Sequence, residues 1–182
     1  MAEVIDNAFG VSLATNLPNR SARLRIIADG VNRAAVIGGY LDEHLVGVIG
    51  KQAHDKCVFD TMTFDLHRRE LETGALRARL AIALLDRALE PGTIRIEVVA
   101  VDDPVRGRGV GRSVLHAAEI GTCELGASRL ELHVEPGNAE ALQLYERVGF
   151  RESGTAHDSL LRRALQSQTD RRMIKELTCT TF

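Results

Sequence analysis

The run from Ile94 to Val101 is rich in β-branched residues, is stopped by Asp102-Asp103-Pro104, and leads into Arg106-Gly107-Arg108-Gly109-Val110-Gly111-Arg112. No other stretch limits so strongly what the chain can fold into. The run favours an extended strand, and the residue before a proline is biased away from helix. A helix is expected from about Gly109 to Leu125, ending at Gly126. Glycines between a buried strand and a helix let successive backbone N–H groups turn inward on an anion. The helix start adds unsatisfied N–H groups and the positive end of its dipole. Three arginines, Arg106, Arg108 and Arg112, strengthen such a site. The competing reading is a solvated basic loop whose glycines serve only to turn the chain.

Strands and helices alternate on both sides of this centre. Val4, Ile5, Ala8 and Val11 recur at helical intervals, which predicts a helix over 2–14; a second short helix is expected over 21–29. Ala34 to Tyr40 and Leu45 to Gly50 read as strands joined in an antiparallel hairpin by Leu41-Asp42-Glu43-His44. Residues 57–64 read as strand or loop. The stripe Leu76, Leu80 and Leu84 predicts a helix over 65–90. Leu130 to Glu135 alternates apolar and polar residues and is a strand closed by Pro136-Gly137. Asn138 caps the next helix, whose inner face is Ala141, Leu142, Leu144, Tyr145 and Val148, and Gly149 stops it. Phe150 begins another strand, and Arg172 to Leu177 is the last. The fold class is therefore α/β. One domain over 1–182 carries a mixed, partly antiparallel sheet flanked by helices on both faces.

Composition narrows the function classes. With 182 residues, 45% of them hydrophobic and 26% charged, the chain can enclose one sizeable core and does not have a disordered composition. A net charge of −2 gives no reason to expect a nucleic-acid or membrane-surface partner. The start Met1 to Asp6 lacks a signal peptide's features and no apolar stretch could span a bilayer, so a cytoplasmic protein is expected. Cys57, Cys123 and Cys179 show no CxxC or CxH spacing and are expected as free thiols. The histidines show no HExxH or HxH spacing, so no metal is expected.

Two common phosphate ligands fit the loop poorly. A Walker A loop needs a lysine that is absent here. A dinucleotide fingerprint would need a glycine where Arg112 stands, and Glu131, about 20 residues further on, lies inside a strand and not at its tip.

The loop and its company resemble the GNAT superfamily of acyl-CoA N-acyltransferases. Its acetyl-CoA loop, Arg/Gln-x-x-Gly-x-Gly/Ala, is met by Arg106, Gly109 and Gly111. Ala100 to Pro104 precede it in the family's order. The run from Asn138 to Phe150, with its asparagine, Leu144-Tyr145 pair and Gly149-Phe150 ending, follows at the family's spacing, and Met173 to Leu177 resembles the last strand. The resemblance is specific over 94–177. Family members usually open with a strand before the first helix. This chain starts at the helix, so that strand is either absent or upstream of Met1.

The resemblance implies an N-acetyltransferase that moves an acetyl group from acetyl-CoA, as co-substrate, to a primary amine of a small molecule or peptide by direct attack in a ternary complex. It implies that the backbones of Val99 and Val101 bond the pantetheine arm, that Arg106, Gly107, Arg108, Gly109, Val110, Gly111 and Arg112 hold the pyrophosphate, and that Asn138 lies against the coenzyme. It makes Tyr145 the acid on the coenzyme's sulfur; the other reading is a core aromatic. An alkylammonium, with a pKa of about 10.4 for lysine, must lose a proton before it attacks. Glu97, the only carboxylate in an apolar strand, is the candidate base. An Arg95–Glu97 ion pair on one strand face competes with that role, as does deprotonation through water. His133 reads as a hydrogen-bonded sheet histidine. A homodimer is suggested by analogy alone. The alternatives are a non-catalytic acyl-CoA sensor of the same fold and, more remotely, a dinucleotide-binding oxidoreductase. The acceptor site would be shaped by the first helices, 53–64 and 157–169.

Overall fold

A computed structural model describes residues 1–14, 18–52, 57–59, 89–155 and 171–179. The chain opens with α1 (Ala2–Ala14) and α2 (Arg20–Gly30), then a 3-10 turn at Arg33–Ala35 and the hairpin of β1 (Val36–Leu41) and β2 (His44–Gln52). Next come β3 (Thr93–Val101), α3 (Val110–Glu124), β4 (Arg129–Val134), α4 (Ala139–Arg147), β5 (Arg151–Thr155) and β6 (Arg171–Glu176). The helix expected over 65–90 lies outside the described residues apart from 89–90, and the stretch 157–169 lies wholly outside them. Of 53–64, residues 57–59 are described, and there Phe59 forms an isolated antiparallel bridge with Val31.

Local chemistry explains most boundaries. Asn19 starts α2 by accepting the Ala22 amide at 3.1 Å, and Asn138 starts α4 by accepting that of Ala141 at 3.1 Å. The β1–β2 turn is two residues long, with Asp42 and Glu43 both at positive φ, the handedness that matches strand twist in a tight hairpin.

The strands form one sheet in the order β1-β2-β3-β4-β6-β5. Only β3 and β4 run parallel; all other neighbours are antiparallel. Helices lie on both faces. On one, Val114, Leu115 and Ala118 of α3 and Tyr145 of α4 pack with Ile94, Ile96, Leu130, Leu132 and Val134. On the other, Val4 and Ile5 of α1 and Ile27 of α2 pack with Val48, Val98 and Ala100.

One irregularity organises the sheet. Gly50 pairs with Val98 but Lys51 with Ile96, so the register skips Glu97 and β3 carries a bulge there. Plain alternation would put Ile94, Ile96, Val98 and Ala100 on one face. The bulge instead sends the first two under α3 and α4 and the last two under α1 and α2.

Candidate active site

The bulge also marks where β3 and β4 part. Their parallel ladder joins Thr93 to Arg129 through Ile96 to Leu132 and stops, although β3 continues to Val101 and β4 to Val134. The Asp102 amide bonds Val46 O on β2 at 2.9 Å. By strand alternation the amides of Val101 and Val99 face the other way, toward the unpaired edge. Both residues are half-buried, with side chains on the α3 side.

The chain then turns through a 3-10 segment at Asp103–Val105, anchored by buried Val105. Arg106 folds back instead of reaching outward: its Nε donates to Val101 O at 3.3 Å and its Nη2 pairs with Asp103 at 2.7 Å. Gly107 (φ 74°) and Gly109 (φ 87°) take the left-handed conformation that L side chains disfavour, and a Cβ added at either would meet nothing within 4 Å among the described residues. The backbone there fronts open space. Gly109 caps α3 without any side-chain hydrogen bond, and Ser113 N is the first amide to bond back, to Gly109 O at 3.0 Å. The amides of Val110, Gly111 and Arg112 therefore point outward at the positive end of a 15-residue helix. Arg108 and Arg112 are exposed beside them. At Gly111 a Cβ would come within 3.0 Å of Leu144 and 3.7 Å of Val101, so α3's first turn lies close against α4 and the end of β3.

Tyr145 lies on the inner face of α4, 7% exposed, edge-on to Phe150 with ring centroids 5.9 Å apart. Burial pushes its hydroxyl pKa up to about 12, so the phenol is protonated throughout the neutral range. Asn138, exposed at the start of α4, spends its Oδ1 on the cap.

Glu97 stands at the bulge, where its Oε2 accepts the Val58 amide at 2.7 Å. The Arg95–Glu97 pairing weighed from sequence gives way to a different arrangement. Arg95 Nε reaches Glu131 at 3.0 Å and its Nη1 reaches Gln52 at 3.3 Å. Glu131 also takes Arg172 Nε at 2.8 Å and lies 3.3 Å from His133 Nε2. This buried polar row across β2, β3, β4 and β6 was missed from sequence. Charges at alternate positions in two strands were its only trace.

A second correction concerns the cysteines. Cys123, near the end of α3, and Cys179, beyond β6, form a disulfide, and Cys57 stands outside any disulfide. Their Cα atoms are 5.4 Å apart despite a separation of 56 residues, because β6 returns beside β4 and carries Cys179 to the end of α3. Among the described residues, no helix is long and apolar enough to cross a membrane, and no cluster of His, Cys, Asp and Glu could hold a metal ion.

The chain is 40% identical over 55 residues to a mycothiol acetyltransferase of Propionibacterium freudenreichii, a stretch that is 30% of this chain and 18% of that protein. It is 40% identical over 77 residues, 42% of the chain and 25% of the relative, to a mycothiol acetyltransferase of Beutenbergia cavernae. The match thus spans a quarter or less of either relative's length. In fold it is similar to a Bacillus subtilis acetyltransferase solved in complex with CoA, with a TM-score of 0.56, 18% identity, and coverage of 98% of this chain and 93% of that one. Residues 17–150 match the acetyltransferase (GNAT) family, and they contain the unpaired β3 edge, the glycine loop and α4, so the chain belongs to that family.

Proposed function

We propose that the chain transfers an acetyl group from acetyl-CoA to a primary amine of a small molecule or peptide, by direct attack while both are bound. The observation that carries this reading is the junction at the end of β3. There a strand edge released from its neighbour leads into amides at the uncapped start of α3. The residues fit the coenzyme. The open amides and positive-φ glycines suit a pyrophosphate, and the free edge at Val99 and Val101 suits an amide-bearing arm added as a strand would be.

In this reading Arg108 and Arg112 supply charge to the phosphates from Arg106–Arg112, and Arg106 braces the loop through Asp103 and Val101. Asn138, beyond setting the start of α4, lies against the coenzyme. The coenzyme contributes an acetyl thioester, already activated for attack. The chain must take a proton from the acceptor ammonium, place a donor for the thioester oxygen, and return a proton to the departing sulfur. A backbone N–H on the open β3 edge serves the oxygen. Tyr145 holds its proton to high pH and serves the sulfur. The acceptor's proton leaves either to Glu97, at the mouth of the strand gap, or through a water there.

The test is calorimetric titration with CoA, followed by thiol release from acetyl-CoA across a panel of amines with mass spectrometry of the products. Binding with a mass shift of one acetyl group on at least one amine is expected. Tight CoA binding with silence across the panel would favour a sensor, and no CoA binding would remove the reading.

A further inference from the structure

His133 follows Leu132, the last β4 residue paired with β3, and sits where the two strands begin to part. Leu132 and Val134 pack beneath α3 and α4, so His133 faces the opposite side of the sheet, as Glu97 does across the gap. Its Nε2 lies 3.3 Å from Glu131 Oε1. Burial alone would raise the Glu131 pKa, but hydrogen bonds from His133 and Arg172 and the charge of Arg95 hold it down at about 2. An ionised carboxylate can only accept, so Nε2 carries a proton, and in the neutral ring Nδ1 presents a lone pair. Nδ1 is buried and has no hydrogen-bond partner among the described residues. An imidazole oriented by a carboxylate through one nitrogen, with the other nitrogen still lacking a donor, is the arrangement of a general base.

We propose that His133 is a catalytic base of the transfer, taking the acceptor's proton on Nδ1 through one water. The proposal rests on the acetyl-transfer reading above. The proton passes from the acceptor ammonium to the water as the water's own proton passes to Nδ1, and Glu131 stabilises the imidazolium. The freed amine forms its C–N bond to the acetyl carbon as the C–S bond breaks. The departing sulfur takes the phenolic proton of Tyr145, and the surplus proton on the new amide nitrogen restores it. Among the described residues, the charged groups on the ring's side of the sheet are Glu131 on its own strand, Arg95 and Glu97 on β3, and Arg172 directly across on β6. Arg95 and Arg172 both engage Glu131.

The test uses the full chain labelled with nitrogen-15. Long-range proton–nitrogen spectra report the tautomer of each of the six histidines, and His133→Gln assigns the signal. At neutral pH the ring proton should sit on Nε2, and acetyl-CoA should shift Nδ1. A proton on Nδ1, or an Nδ1 that stays fixed while the Gly109 and Gly111 amides shift, overturns the proposal and leaves the transferase reading intact. If the coenzyme moves neither, both fall. In kinetics with primary alkyl amines, His133→Gln should lower turnover about 100-fold at neutral pH with the KM for acetyl-CoA unchanged, and the loss should shrink as pH rises. Hydroxylamine, unprotonated at neutral pH, should react at the wild-type rate. Equal losses with both nucleophiles would make His133 structural only, as would activity lost in Glu97→Gln but kept in His133→Gln.

Discussion

Gly109 holds φ at 87° with open space where a Cβ would stand, so its conformation and not crowding demands glycine. Gly109→Val should cost about 1–2 kcal/mol of stability for a left-handed L residue, while CoA affinity falls about tenfold or more as the amide loses its approach to phosphate. Calorimetry and thermal melting on the same sample separate the two effects. Unchanged affinity would count against the loop as the phosphate site. Tyr145 invites the opposite experiment. Its ring packs in the core against Phe150, and Tyr145→Phe keeps that packing. If the hydroxyl serves the leaving sulfur, turnover should fall roughly 100-fold with CoA binding unaltered. Full activity in the variant would leave Tyr145 as a core residue alone.

At the scale of elements, sequence periodicity located every strand and helix among the described residues to within a few positions, because caps and turns carry local chemistry. Asn138 and the β1–β2 turn were legible for that reason. The bulge at Glu97 was not. Nothing in Ile96-Glu97-Val98 distinguishes it from a straight strand, and only pairing with β2 creates it. Yet it decides which valines meet α1 and where β3 leaves β4, so the loop was readable from sequence while the opening beside it was not. The disulfide was equally hidden, since its partners meet through the β4–β6 pairing. It ties the far end of α3, the helix whose start forms the anion loop, to the segment after β6. Closing a loop of 56 residues should contribute about 4 kcal/mol by restricting the unfolded chain. Dithiothreitol, or Cys123→Ser, should therefore lower the melting temperature by about 10 °C. A melting curve indifferent to reductant would show that the link does not bear on stability.

Across the whole molecule, the polar row Gln52, Arg95, Glu131 and Arg172 spans the four adjacent strands β2, β3, β4 and β6 and holds together the sheet on which the site is built. Its buried carboxylate is Glu131, whose pKa is lowered from 4.5 to about 2 in the folded state. The sign follows directly. A carboxyl that binds its proton less readily when folded stabilises the fold above its unfolded pKa, and that contribution is lost as pH drops from about 4.5 toward about 2. Thermal stability should decline steeply through this window. Glu131→Gln should flatten much of the decline while lowering stability near pH 7 by about 3 kcal/mol, because it breaks the buried Arg95–Glu131 ion pair. Parallel melting series for the two proteins read both effects. If the variant matched the parent at pH 7 and followed the same acid decline, the sheet would owe its acid sensitivity to other carboxylates, and the row would be incidental to the fold.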